Sequence, residues 1–268
     1  MKKILITGAN SYIGTSFEKY IKENYPDEYI VDTVDMINGS WREKSFAGYD
    51  SVFHVAGIAH QKETKKNARL YYEVNRDLAI ETAKKAKSEG VKQFIFLSSM
   101  SVYGMDTGVI TKETKPNPKS NYGKSKWQAE QEIAPLDSED FKVCILRPPM
   151  VYGKGCKGNY QSLVKIAKVF PFFPNYKNRR SVISIENLSK YVRESIERVL
   201  DGVYLPQNSE YICTCELVSD IAKGLGKKLR LTKIFNPVIF VLIKVSLKGR
   251  KAFGNLIYQD IDMFECCG

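Results

Sequence analysis

The segment that most narrows the possible folds is KKILITGANSYIG, residues 2–14. A short apolar run meets Gly8, and Ser11 and Gly14 then lead straight into an amphipathic stretch. A strand, a tight turn and a helix in that order bring backbone amides and a positive helix terminus to one point, where a phosphate can be held. Ser11 stands where the middle glycine of such loops usually falls. Gly8, Asn10, Ser11, Tyr12, Ile13 and Gly14 are therefore the residues expected against a pyrophosphate.

The same alternation continues for half the chain. Strands are expected at 3–7, 29–34, 51–56, 93–98 and 142–146, with helices at 12–24, 68–88 and 122–133. Short β-rich runs separated by helical patterns describe parallel strands with crossover helices, an α/β Rossmann-like, doubly wound sheet. After Arg147-Pro148-Pro149 the pattern loosens into Gly- and Pro-rich links, helices near 160–168 and 186–200, and short strands around Tyr204 and Tyr211. This divides the chain into a dinucleotide domain, 1–150, and a smaller C-terminal substrate-binding lobe, 151–268, interleaved with it.

The second strand ends in YIVDTVDM. A carboxylate about twenty residues beyond the phosphate loop accepts hydrogen bonds from both ribose hydroxyls and repels the extra phosphate of NADP, so NAD is the expected cofactor. Strand alternation favours Asp35, with Asp32 as the alternative.

Composition narrows the partners. At 268 residues and 43% hydrophobic content the chain can bury a full α/β core. Its net charge of +11 suits an anionic ligand, but Lys and Arg are spread along the chain rather than gathered into a stripe with interleaved aromatics, so no nucleic-acid partner is expected. Six cysteines without paired C-x-x-C motifs, and only two histidines, point to reduced structural thiols and no metal. No signal-peptide pattern precedes the first strand, which makes the cytoplasm the expected location. The longest apolar run, 235–247, is too short for a membrane span and contains Lys244; it is expected as a buried helix after Pro237, with peripheral membrane contact as the lesser alternative.

The stretch NYGKSKWQAE sets Tyr122 one helical turn before Lys126. That spacing alone fits many solvated helices. FIFLSSMSVYG supplies the context, because it is a strand ending in Ser98 and Ser99 at the sheet edge where ligands bind. A lysine ammonium and a positive nicotinamide would lower the tyrosine pKa, and a serine hydroxyl would share the substrate oxygen, which suits alcohol and ketone interconversion by hydride transfer. His54 and His60 are expected to be structural.

Taken together, TGANSYIG, DSVFHVAGIAH, YYEVNRDLA, FIFLSSMSVYG, YGKSK and LRPPMVYG resemble, in order, the motifs of extended short-chain dehydrogenase/reductases of the NAD-dependent epimerase/dehydratase family, over residues 1 to about 200. The resemblance implies Ser99, Tyr122 and Lys126 as catalytic residues. It implies Ala56 and Gly57 as the loop beneath the cofactor, Asn75 as a brace, and Pro149, within 148–151, along the nicotinamide. Ser40 and Trp41 stand where the family usually has an aspartate and an apolar residue near the adenine. Arg180 and Asn159 fall where related nucleotide-sugar enzymes meet the substrate diphosphate, and a homodimer is common among similar enzymes.

Members resembling 4,6-dehydratases carry an acidic pair just after the catalytic hydroxyl, whereas this chain has Met100 and Ser101. The expected activity is a nucleotide-sugar 4-epimerase acting on a UDP-hexose or UDP-N-acetylhexosamine for surface polysaccharide synthesis. A 4-ketoreductase that releases its cofactor, and a non-catalytic dinucleotide-binding regulator, are the alternatives.

Overall fold

The computed structural model describes residues 1–59, 61, 63–156 and 158–259. The chain runs β1 (Lys2–Thr7), α1 (Tyr12–Asn24), β2 (Tyr29–Val34), β3 (Ser51–His54), α2 (Ala68–Tyr72), a π-helical turn (Glu73–Asp77), α3 (Leu78–Ser88) and β4 (Gln93–Leu97). It continues through β5 (Gly108–Ile110), α4 (Asn121–Ile133), β6 (Lys142–Leu146), β7 (Met150–Tyr152), α5 (Asn159–Val169), β8 (Phe172–Pro174), β9 (Val182–Ser184) and α6 (Ile185–Glu197). The last elements are β10 (Gly202–Tyr204), α7 (Thr214–Gly224), β11 (Arg230–Thr232), α8 (Asn236–Val245), α9 (Leu247–Phe253) and β12 (Leu256–Tyr258).

Six strands form the central sheet in the order β10-β6-β4-β3-β1-β2, all parallel. The chain winds outward from β1 to β2 and then returns to β3 on the other side of β1. That reversal opens a crevice at the carboxyl ends of β1 and β3.

Both faces of the sheet are buried, so consecutive strand residues serve opposite layers. Ile4, Ile6, Phe53, Ile95 and Leu97 pack with Phe17 and Ile21 of α1 and with Leu188, Val192 and Ile196 of α6. Leu5, Val52, Phe94, Phe96 and Val143 pack on the other face with Ala79, Ala83 and Ala86 of α3 and Ala129 and Ile133 of α4. Alanines along α3 let that helix lie close to the sheet. The aromatic rings of β4 fill the remaining volume.

The five strands expected in the first half all form, with ends differing by one or two residues. β3 stops at His54 because the amides of Val55 and Ala56 both turn back to the Thr7 carbonyl, at 3.1 and 2.9 Å. Residues 202–204 join the main sheet beside β6, carried there by α6, so the chain beyond residue 150 contributes to the main sheet and to the layer that holds α1. Around Tyr211 an isolated bridge between Ile212 and Arg180 takes the place of the expected strand. Cys144, Cys156, Cys213 and Cys215 are buried, whereas Cys266 and Cys267 lie outside the described residues. Among the described residues no helix is long and apolar enough to cross a membrane.

One expectation is overturned. The run 235–247 does form a helix with Pro237 in its first turn, but only Ile239 of α8 is buried. α8 packs chiefly on α9, which covers one side of it, and no second layer covers its outer face among the described residues.

Gln93 ties the two halves together. It is buried at the start of β4, donates to the carbonyls of Ser195 (2.8 Å) and Leu200 (3.0 Å), and accepts from Ser51 (2.9 Å). Gln93→Leu removes the Gln93 partner of the Leu200 carbonyl and the Ser51 hydroxyl, while the Ser195 carbonyl keeps the Leu200 amide at 3.0 Å, and it should lower unfolding free energy in urea titration by about 1–3 kcal/mol.

Candidate active site

The phosphate loop fits a dinucleotide. Gly8 lies at φ +111°, and a Cβ there would stand 2.8 Å from the Ala56 nitrogen, so only glycine lets the loop after β1 pass the loop after β3. The amides of Gly8 and Ala9 bond the Val34 carbonyl at 2.9 and 3.1 Å, and Asn10 takes a left-handed conformation at φ 63°. Ser11 caps α1 by accepting from the Gly14 amide at 3.1 Å, and Tyr12 and Ile13 follow in the first turn. A dinucleotide phosphate at this helix terminus would meet unpaired backbone amides and the positive end of the helix.

Tyr12 turns its ring toward the loop after β7. A Cβ on Gly153 would lie 3.0 Å from the Tyr12 hydroxyl. That hydroxyl is buried with no hydrogen-bond partner among the described residues, and burial pushes its pKa up to about 12.

The two aspartates separate clearly. Asp35 directly follows β2 at its carboxyl end and accepts from the Ile37 amide at 2.9 Å. Asp32 sits inside β2 opposite Leu5 and accepts from the Tyr49 phenol at 2.6 Å. Asp35 therefore stands at the crevice, where a ribose could be bound.

Ser99 and Tyr122 come together from distant stretches of chain. The Ser99 oxygen accepts from the Ser101 amide (3.1 Å) and the Ser101 hydroxyl (3.0 Å), which leaves its own hydrogen for the Tyr122 phenol. Ser120 caps α4 through the Gly123 amide at 3.1 Å, and Glu63 accepts from the amides of Asn121 (2.9 Å) and Tyr122 (3.1 Å). This carboxylate at a helix N-terminus is favourable in charge, and it fixes the turn that carries Tyr122. Tyr122 is half-buried beside Tyr71, with ring centroids 6.4 Å apart.

Lys126 points beneath the sheet edge. Its ammonium donates to the Leu97 carbonyl at 2.7 Å and lies 4.6 Å from the Phe96 ring centroid. Burial pulls its pKa down to about 7, against the opposing effect of Glu130. The Tyr122 pKa is raised, mainly by burial, with the Ser99 hydrogen bond acting the other way. The protein alone therefore does not lower the phenol pKa as the sequence led us to expect, because burial outweighs the Ser99 hydrogen bond.

Asn75 occupies the π turn. Its Oδ1 accepts from the Ile58 amide (2.8 Å), and its Nδ2 donates to the Ile58 carbonyl (3.0 Å) and the Ser125 hydroxyl (3.3 Å). A Cβ on Gly57 would lie 2.9 Å from the Asn75 Oδ1 and 3.5 Å from the Lys126 nitrogen. Ala56, Gly57, Asn75 and Lys126 thus share one small region. Pro149 follows β6, next to Pro148, whose carbonyl accepts from the Met100 amide at 2.9 Å.

Other expected residues behave differently. Ser98 turns away from the crevice and donates to buried Glu130. Glu130 pairs with Arg147 at the end of β6, and Arg147 also donates to the Tyr103 phenol at 2.9 Å. The Arg147 carbonyl accepts from the Tyr258 phenol at 2.7 Å. His54 is buried, bonds Thr7 through Nδ1 at 2.8 Å and is driven down to about 3, a structural position; His60 lies outside the described residues. Arg180 donates to the Gly254 carbonyl at 2.9 Å, and burial lowers its pKa. Asn159 starts α5, with its side chain outside the described part. Trp41 is buried on Phe46 beneath α3 rather than displayed at the crevice.

Glu63, Glu130 and Arg147 were not found by motif. The available signal was weak: Glu130 lies one turn beyond Lys126, on the same side of α4.

The chain belongs to the NAD-dependent epimerase/dehydratase family, whose sequence model matches residues 4–189. It is 32% identical over 251 residues to a UDP-glucose 4-epimerase of Vibrio cholerae, a match covering 84% of this chain and 76% of that protein. It is 26% identical over 246 residues to an N-acetyl-alpha-D-glucosaminyl-diphospho-ditrans,octacis-undecaprenol 4-epimerase of Escherichia coli, covering 84% and 73%. Its fold is shared with a UDP-glucuronic acid 4-epimerase from Bacillus cereus solved with NAD, at TM-score 0.71, 20% identity and coverage of 97% and 90%.

Two outcomes are expected from the buried charges. Glu130→Gln leaves Arg147 unpaired and should cost about 3–5 kcal/mol in denaturant unfolding. Between pH 7 and 10.5 the unfolded chain holds a proton on Lys126 that the folded chain has lost, so stability rises with pH across that window. Lys126→Met should reduce that rise in melting temperature, measured by circular dichroism.

Proposed function

We propose that the protein is an NAD-dependent nucleotide-sugar 4-epimerase acting on a UDP-hexose or UDP-N-acetylhexosamine, serving surface polysaccharide synthesis. The observation that carries this proposal is the Ser99 hydroxyl directed at the half-buried Tyr122 phenol, at the sheet edge shared with the phosphate loop. The similarity to UDP-glucose 4-epimerase supports the choice of reaction.

The chain's own groups account for the proton chemistry. Tyr122 takes the proton from the hydroxyl on the sugar's fourth carbon while Ser99 holds the same oxygen in the crevice. Gly8, Ser11, Tyr12, Ile13 and Gly14 hold the pyrophosphate of NAD at the α1 terminus, with Asp35 on the ribose. Lys126, beside Gly57, would add positive charge that favours the phenolate. NAD, when bound, would supply the reversible hydride acceptor that interconversion at that carbon needs. Tyr122 then gives its proton back.

Ser101 supports epimerisation over dehydration. Elimination of water needs an acid and base at this point of the chain, and Met100 and Ser101 offer neither. Arg180 and Asn159 would receive the substrate diphosphate, Arg180 as a permanently charged fork.

Purified protein should interconvert UDP-glucose and UDP-galactose, or their N-acetyl counterparts, without added cofactor. Reduction of a 4-keto sugar with stoichiometric cofactor consumption, and no interconversion, would establish a ketoreductase instead. Tyr122→Phe should lower kcat by at least about 100-fold while NAD still binds, as read by fluorescence titration. Unchanged turnover in that variant would remove Tyr122 from the chemistry.

A further inference from the structure

Helix α8 presents an apolar surface that the proposed chemistry does not use. Val238, Phe240, Val241 and Val245 are each 53–73% exposed, and Ile234 and Leu247, just beyond the two ends of the helix, are 81% and 50% exposed. Single exposed apolar residues are ordinary on a protein surface, but a run of them on one short helix marks an interaction site.

The charges around this helix share one sign. From residue 221 to residue 258 the chain has nine Lys or Arg residues and no Asp or Glu. Lys233, Lys244, Lys248 and Lys251 are exposed, and the Lys244 ammonium lies 4.3 Å from the Phe240 ring centroid. Lys251 has the Asp106 carboxylate of another segment 3.9 Å away. The same mixture continues on the β8–β11 ribbon, where exposed Phe172 pairs with Arg230.

We propose that the outer face of α8 and the lysines beside it dock the protein on an anionic membrane surface. Helix geometry sets how it would lie: ten residues span about 15 Å, half the hydrocarbon core, so the helix would rest in the interface rather than cross it. Phe240, Val241 and Val245 would enter the boundary between headgroups and acyl chains, with lysine ammoniums among the phosphates. Charge selects this partner over a second copy of the chain. A two-fold contact through the patch would set the same lysines against one another, whereas an anionic lipid surface neutralises them.

Flotation of the full chain with vesicles tests the proposal independently of catalysis. Vesicles of phosphatidylcholine with phosphatidylglycerol should carry the protein upward at low salt, and phosphatidylcholine alone should carry much less. Phe240→Asp with Val241→Asp should abolish flotation. Lys244→Ser with Lys248→Ser should weaken it by at least about tenfold. Because these side chains are exposed, the variants should keep the wild-type melting temperature and activity on a soluble nucleotide sugar. Equal flotation with both lipids, no flotation with either, or flotation indifferent to these substitutions would overturn the proposal. A dimer in light scattering that the aspartate substitutions dissolve, without lipid binding, would overturn it in favour of self-association.

Discussion

A lysine with its charge turned inward organises the centre of this protein. Lys126 reaches under the end of β4 to the Leu97 carbonyl, and that bond sets how close α4 lies to the sheet edge. An ammonium in such a place needs a polar partner, since burial penalises the charge. The Leu97 carbonyl is available because β4 ends there and the chain turns into the segment bearing Ser99. The position of Tyr122 relative to Ser99 thus follows from how a buried cation is satisfied one turn away. The Glu130–Arg147 pair reinforces the arrangement by fixing the next turn of α4 to the end of β6.

The sheet was legible in the sequence because both of its faces are buried. Runs such as Ile4-Leu5-Ile6 and Phe94-Ile95-Phe96 have no polar alternative to an interior strand, and the glycine turn after Thr7 set their polarity. Ser99, Tyr122, Lys126 and Asn75 were legible through the order of the motifs, and the structure brings them to one region. Each depends on local chain geometry, which sequence spacing records well.

What stayed hidden depends on tertiary partners. Glu130 and Arg147 look like ordinary surface charges until two elements close over them. Ser98 and Ser99 are chemically alike and adjacent, and only the pleat of β4 decides that one faces Glu130 and the other the phenol. Glu63 comes from a loop whose path no periodicity predicts. The apolar run at 235–247 misled for the converse reason: hydrophobicity says that a surface seeks cover, but not whether the rest of the chain supplies it.

The π turn at Glu73–Asp77 has a consequence for how this scaffold can vary. A π turn accommodates one residue more than the α-helix it interrupts, and Asn75 reaches Ile58 and Ser125 from within it. Losing a single residue there would let the helix regularise while the flanking turns keep their faces, so Tyr71 would stay beside Tyr122. The wide turn that carries Asn75 to Ile58 and Ser125 would be gone, however. The extra residue therefore serves the link between two loops rather than the course of the helix itself.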